Sequence, residues 1–320
     1  MSRSIAHNRE RRPKAERKAS VSIVGAGRLG TALARALASS GYHVEAVVSR
    51  RLGRARRAAA LSGEPQPLAL SLAKVDQLPP SEIIFITTPD DAIAATAELL
   101  ASYANSQRYA GIALHTSGAL TSDILGSLGS VGFRTGSMHP LVSVSDAVSG
   151  AERLRGAFYA VEGERAAVRV ARGVVRDLGG RSFSIASSDK ALYHAAAVMT
   201  SGHVVALFEM ATELLERCGL KSAQARAVLL PLLRSTLENL SKNEPSRALT
   251  GTFARADIST VRRHTAALRS QKMPDALSVY ALLGNRSLQL AARRGADPKA
   301  LKEIAKEMRR LLLDKEEEKD

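Results

Sequence analysis

Three short clusters hold the side chains whose types and spacing could do chemistry: His115-Thr116-Ser117-Gly118, Ser137-Met138-His139-Pro140 and Asp189-Lys190-Ala191-Leu192-Tyr193-His194. Histidine suits proton transfer because its ordinary pKa lies closest to neutrality. His115 and His139 each follow a β-branched run, at the strand end where a reacting group would sit. A purely structural hydrogen-bonding role accounts for either one equally well. A spacing of four puts Lys190 and His194 on one face of a helix. A cation in the first turn opposes the helix dipole, so a reaction or anion-binding role explains Lys190 better than stability does; the alternative is a lysine pointing into water. Reduction of a carbonyl or imine needs a hydride source, a group that orients the substrate and a proton donor, and these clusters offer the last two.

A hydride source has a place further upstream. Val21-Ser22-Ile23-Val24 runs into Gly25-Ala26-Gly27-Arg28-Leu29-Gly30 and then into an Ala/Leu-rich helix from Thr31 to Ser40. In this context Gly25 permits the tight turn, Gly27 lets a pyrophosphate approach the backbone, and Gly30 lets helix and strand pack closely. The helix N-terminus offers unpaired N–H groups to the phosphates. The next β-branched run, His43 to Val48, ends in Ser49-Arg50-Arg51. An acidic residue that would bind a ribose hydroxyl is missing there, whereas Ser49, Arg50 and Arg51 suit a 2'-phosphate, so the expected cofactor is NADP, as NADPH. Thr87-Thr88-Pro89 follows another strand and is expected to line the dinucleotide, with a helix cap at Asp90 as the competing account.

The elements that must position these groups are legible in the patterning. Candidate strands cover Val21 to Val24, His43 to Val48, Ile83 to Thr87, Ile112 to His115, Phe133 to Met138, Ala157 to Val161 and Arg181 to Ile185, alternating with amphipathic stretches as βαβ units do. From Ser188 the β-rich runs give way to helical spacing over Lys190 to Cys218, Ala223 to Asn239, Ser259 to Leu268, Asp275 to Arg294 and Pro298 to Leu313, with caps expected at Ser188, Ser259 and Asp297. The fold class is α/β, a doubly wound parallel sheet over residues 21–187 followed by an all-α domain over 188–313. Residues 1–20, with seven Lys and Arg against Glu10 and Glu16, read as a disordered basic arm, and 314–320 as a charged tail.

Composition narrows the function classes. A formal charge of +15 favours anionic partners, but the absence of Trp and the scarcity of Phe and Tyr argue against a nucleic-acid binder. A single cysteine, Cys218, excludes intrachain disulfides and Cys-rich zinc motifs, so no metal is expected and a reducing cytoplasm fits. No uninterrupted apolar run approaches the roughly 18 residues of a membrane span, so no membrane association is expected.

The motifs GAGRLG at Gly25, TTPDDAI at Thr87, LHTSGAL at Leu114, GSMHPL at Gly136, DKALYHAAAVMTSGHVVAL at Asp189 and ALTGTFARADISTVRRHTAAL at Ala248 occur in one order. Together they resemble an uncharacterised bacterial family that joins a Rossmann-like domain to a helical domain of unknown function. Its relatives are β-hydroxyacid dehydrogenases, ketopantoate reductase and pyrroline-5-carboxylate reductase. The resemblance implies a 6-phosphogluconate-dehydrogenase-like architecture and a homodimer formed through the helical domain. It further implies Lys190 as proton donor, His194 where those enzymes carry an asparagine, and Ser117, Gly118, Thr250 and Gly251 on the substrate. The pattern departs at Thr252, where proline is usual, and at Ser201-Gly202-His203. The expectation is an NADPH-dependent reductase of a small anionic, keto-acid-like carbonyl or imine compound; the alternative is a non-catalytic NADP-binding sensor or interaction protein.

Overall fold

The structure is a computed structural model describing residues 17–107 and 110–317. Most of the expected basic arm and the end of the charged tail lie outside the described residues. The chain divides into two compact units, which part between Ser201 and Gly202.

The first unit begins β1 (Ser20–Val24), α1 (Arg28–Ser39), β2 (His43–Ser49), α2 (Leu52–Ser62), β3 (Leu68–Ser71), β4 (Ile83–Ile86) and α3 (Ile93–Gln107). It continues β5 (Ile112–His115), α4 (Gly126–Ser130), β6 (Arg134–Pro140), α5 (Ala147–Leu154), β7 (Phe158–Gly163), α6 (Arg165–Asp177), β8 (Arg181–Ser184) and α7 (Lys190–Thr200). Its eight strands form one sheet in the order β3-β2-β1-β4-β5-β6-β7-β8. Neighbours run parallel except for β6 and β7, so the carboxyl ends of β1, β2, β4, β5 and β6 share one edge. Ligands of open α/β sheets bind along such an edge, where the strand order reverses.

The sheet is covered on both faces. One core joins Ile23, Phe85 and Leu114 to Leu33 and Leu37 of α1 and Val174 of α6; the other joins Val24, Ile84 and Ile86 to Ala97 and Leu100 of α3. β4, Ile-Ile-Phe-Ile, is buried at every position, the pattern of a parallel strand packed on both sides. β3 lies outside the strands expected from patterning: Leu-Ala-Leu-Ser is too short for a period, and as an edge strand it pairs only with β2 and leaves Leu68 exposed.

The second unit is helical: α8 (Gly202–Arg217), α9 (Ser222–Lys242), α10 (Pro245–Ala248), α11 (Ile258–Ser270), α12 (Pro274–Ala292) and α13 (Pro298–Glu317). Val261, Ala281, Leu288, Ile304 and Met308 make its core. Asp297 accepts from the N–H groups of Lys299 and Ala300, as a cap should. Asp257 rather than Ser259 caps α11, accepting from the Thr260 N–H at 3.0 Å. Ser188 does not cap α7, whose N-terminal flank is Asp189.

Two expectations are corrected. The helix expected over Lys190 to Cys218 breaks at Ser201, whose hydroxyl turns back to the Ala197 carbonyl just before Gly202, a residue poor at continuing a helix. The first unit therefore keeps α7 and extends to Ser201 rather than ending near residue 187, because Lys190 is buried among its strands. Across the break, Ser187–Arg217 still holds an 18-residue window of mean hydropathy 1.4, interrupted by polar residues rather than forming an unbroken apolar run. None of that window is buried.

Candidate functional site

The glycine segment forms a cradle at the carboxyl edge of β1. Gly25 has φ +124°, a value that favours glycine, and a Cβ there would lie 2.6 Å from the Thr87 carbonyl carbon. A Cβ on Gly30 would lie 1.9 Å from the Gly25 carbonyl oxygen, so only glycine lets α1 approach the turn. Thr87 holds the turn from β4, donating its hydroxyl to the Gly25 carbonyl at 2.7 Å. That buried role differs from the direct ligand contact expected of Thr87. Gly27, by contrast, faces open space and precedes α1 with no side-chain cap, so the first-turn N–H groups around Arg28 and Leu29 are free for an anion.

β1 and β2 run in register from Val24 to Val48, which sets Ser49, Arg50 and Arg51 beside Gly25 and Ala26. Both arginines are exposed, and neither forms an ion pair among the described residues. Next to Thr87, the Thr88 hydroxyl is buried and has no hydrogen-bond partner among the described residues, while Pro89 is exposed beyond it. An open glycine, an uncapped helix start, two free guanidinium groups and an orphaned hydroxyl fit a phosphorylated dinucleotide such as NADP.

Strand register builds the second half of the site. Ile86, His115, Ser137 and Glu162 stand opposite one another across β4, β5, β6 and β7 and form one row. Glu162, buried inside β7, accepts from the hydroxyls of Ser122 (2.7 Å), Ser137 (3.0 Å) and Ser187 (3.0 Å) and from the Ser122 N–H. Burial pushes its carboxyl up, but these hydrogen bonds and Lys190 outweigh that and hold it below the usual carboxylate range. Lys190, 1% exposed, donates to Ser137 Oγ at 2.7 Å and to the Ser117 carbonyl at 3.3 Å, and lies 3.7 Å from Glu162. Burial lowers its pKa, and Glu162 opposes that shift.

Above this ion pair lies a cavity of about 320 Å³ lined in part by Asp90, Ser117, Gly118, His139 and His194. Lys190 is not among its lining residues; the expected proton donor meets the lining through the Ser117 carbonyl, to which it donates, and pairs with Glu162 on its other side. Ser117 Oγ donates to Asp90 at 2.8 Å and accepts from the N–H groups of Ala119 and Leu120, which occupies the hydroxyl expected on substrate. His115 is fully buried: Nδ1 accepts from the Ser117 N–H and Nε2 faces the Thr121 carbonyl, each at 3.2 Å, so the ring carries its proton on Nε2. Burial, then Lys190, push its pKa down to about 4, which makes it a neutral support for the 116–121 loop.

His139 does border the cavity. Its Nδ1 lies 2.6 Å from the Tyr193 hydroxyl, and its Nε2 edge faces Gly118, where a Cβ would come within 2.9 Å. Burial pushes Tyr193 up to about 12, so its hydroxyl stays protonated and pairs with Nδ1 in either tautomer of the His139 ring. Burial, His194 and Lys190 take His139 down to about 4. The His194 ring meets it edge-on at 5.7 Å. Thr250 and Gly251 belong to the second unit, whereas all the cavity's lining residues belong to the first. Sequence reading missed Asp90 as a lining group, Tyr193 as the His139 partner, and Glu162. A charged residue inside the apolar run Phe158 to Val161 and beyond was the available signal for Glu162.

A three-layer sheet with a glycine cradle at its switch point defines the class: a Rossmann-type nucleotide-binding fold. Residues 7–140 match the model of a Rossmann-like domain, and residues 157–287 match that of a domain of unknown function, DUF2520. The chain thus carries a Rossmann-like domain followed by a DUF2520 domain. No curated protein matches it in sequence. Among solved structures it is similar to a candidate NADP oxidoreductase from Bacteroides fragilis, with 22% identity and a TM-score of 0.67 over 85% of this chain and 99% of that one. A Thermotoga maritima protein gives 22% identity and 0.63 over 90% and 99%. An imine reductase from Streptomyces aurantiacus gives 17% identity and 0.51 over 91% and 93%. At these identities the likeness establishes the shared fold.

Proposed function

We propose that this chain is an NADPH-dependent oxidoreductase that reduces a small carbonyl or imine compound. The observation that carries the reading is one shared sheet edge. It bears a phosphate cradle after β1, two arginines free of ion pairs after β2 and a histidine-lined cavity after β5 and β6. When bound, NADPH supplies the hydride. Gly25 to Gly30 hold its pyrophosphate, Ser49, Arg50 and Arg51 its 2'-phosphate, and the Thr88 hydroxyl a neighbouring polar atom. The His139 Nε2 edge and His194 orient the substrate, His115 and Ser117 keep the loop in place, and the Lys190–Glu162 pair fixes the floor. The cytoplasm is the proposed compartment, and the active form is a homodimer joined through the helical unit.

One observation favours the second reading, a non-catalytic NADP-binding sensor: Lys190 is paired within the fold and does not line the cavity. A screen of ketones, keto acids and imines, read as loss of NADPH absorbance, separates the two, since tight binding without turnover of any compound supports the sensor. The cofactor assignment has its own test. Arg50→Ala with Arg51→Ala is expected to weaken NADPH binding by at least about tenfold, the scale of one lost charge-assisted bond, while sparing NADH. Equal losses for both nucleotides would refute it.

A further inference from the structure

The charge of the cavity runs opposite to that of the whole chain. Although the protein carries a formal +15, no lysine or arginine among the described residues lines the cavity, and Asp90 is the one formally charged side chain among them that does. The nearest buried cation, Lys190, donates to Ser137 Oγ and the Ser117 carbonyl and pairs with the Glu162 carboxylate, so its charge is already balanced within the fold. Asp90 is aimed and held by the Ser117 hydroxyl, itself pinned by two backbone N–H groups. A carboxylate-bearing substrate would meet that fixed negative charge with no compensating cation on the lining.

Proton supply bears on the same choice. Reduction of a carbonyl leaves an alkoxide that must take a proton from an acid. Of the two imidazoles that line the cavity, His139 is neutral near pH 7 and His194 is the other; His115 and Lys190 do not line it. Reduction of a C=N bond that already bears a positive charge needs no such acid. The carbon gains a hydride with both its electrons from the dihydronicotinamide, the C=N π pair comes to rest on nitrogen, and a neutral amine results with no proton consumed.

Resting on the reductase reading above, we infer that this cavity takes a cationic C=N substrate, an iminium or protonated imine, with the Asp90 carboxylate as its counter-ion, and does not take a keto acid. The volume of about 320 Å³ admits a small cyclic or branched iminium.

The test uses the full chain and three probes of similar bulk: N-methyl-1-pyrrolinium, permanently cationic; cyclopentanone, neutral; and pyruvate, anionic. NADPH oxidation is expected with the first at a kcat/KM at least about tenfold above either of the others. Calorimetry, with and without NADP, is expected to show protonated N-methylpyrrolidine binding and cyclopentanecarboxylate not binding. Asp90→Asn keeps an acceptor for Ser117 but removes the charge. It is expected to cut both amine affinity and iminium kcat/KM by about tenfold or more, with NADPH affinity read separately by fluorescence. Pyruvate reduced faster than the iminium, carboxylate bound more tightly than amine, or unchanged amine binding in the Asp90→Asn variant would each overturn the inference while leaving the reductase reading intact. Failure to bind NADPH would sink the reductase reading instead, and the calorimetry on cofactor-free protein would still decide the cavity's charge preference.

Discussion

With both ring nitrogens committed to backbone groups and no surface exposed, His115 acts as a brace for the loop that carries Ser117 and Gly118. Its pKa of about 4 in the folded chain, against about 6.5 when unfolded, has a thermodynamic consequence. Between those values the unfolded chain binds a proton that the folded one refuses, so stability is full above pH 6.5 and falls as the pH drops toward 4. At about 1.4 kcal/mol per unit, His115 alone accounts for roughly 3 kcal/mol across that window. His139 adds to the loss in the same direction. Glu162, whose pKa is depressed, contributes only at lower pH, because an acid of that kind loses its stabilising effect as the pH falls from its unfolded value through its folded one. Urea unfolding midpoints between about pH 7 and about pH 4.5 are expected to fall steadily for the natural protein and less steeply for His115→Gln. Parallel slopes would show that the buried imidazole is not the titrating group.

At the scale of elements, the turn between β1 and α1 separates two kinds of glycine. Gly30 is required by the fold itself, since any Cβ there overlaps the Gly25 carbonyl and the Thr87 hydroxyl. Gly27 meets nothing within 4 Å, so its freedom from a side chain matters for a ligand. Gly30→Ala is therefore expected to destabilise the first unit by about 1–3 kcal/mol or more, as overpacking does, visible as a lower melting temperature. Gly27→Ala is expected to melt within a degree or two of the natural protein but to lose NADPH affinity by about tenfold or more, read by fluorescence titration. A Gly27→Ala variant that binds normally would remove the backbone of this segment from the cofactor site. Most of these elements were readable from spacing alone: strand, turn and helix from Val21 to Ser40 emerge as expected because local sterics and apolar periodicity decide them. β3 and the break at Ser201 were not, since the first depends on pairing with β2 and the second on competition between a serine hydroxyl and the helix ladder.

For the whole molecule, the large apolar side chains left in water matter most. Val228, Leu232, Leu237 and Leu240 of α9, Val205 of α8 and Leu282 of α12 are all strongly exposed, and of the 21 residues of α9 only Ala225 is buried. Apolar side chains of this size and number are rarely left in water. A second copy of this helical unit is the proposed cover, a self-complementary pairing that closes with two-fold symmetry. Light scattering behind size exclusion is expected to give about twice the 34.0 kDa chain mass, and Leu232→Glu combined with Leu237→Glu to return the protein to one chain mass with its helical content kept. A natural protein that runs as a single chain at micromolar concentration would contradict the pairing.

Local spacing by itself determined the α/β order, the glycine cradle and the arginines at the end of β2, because each depends on neighbours a few residues away and on the steric limits of the backbone. What Lys190 does was decided only by the tertiary structure. Its partner is a glutamate on another strand, brought opposite Ser137 by sheet register, and burial makes that pairing obligatory. The sign of the charge facing the cavity follows from that long-range neutralisation, which no motif encodes.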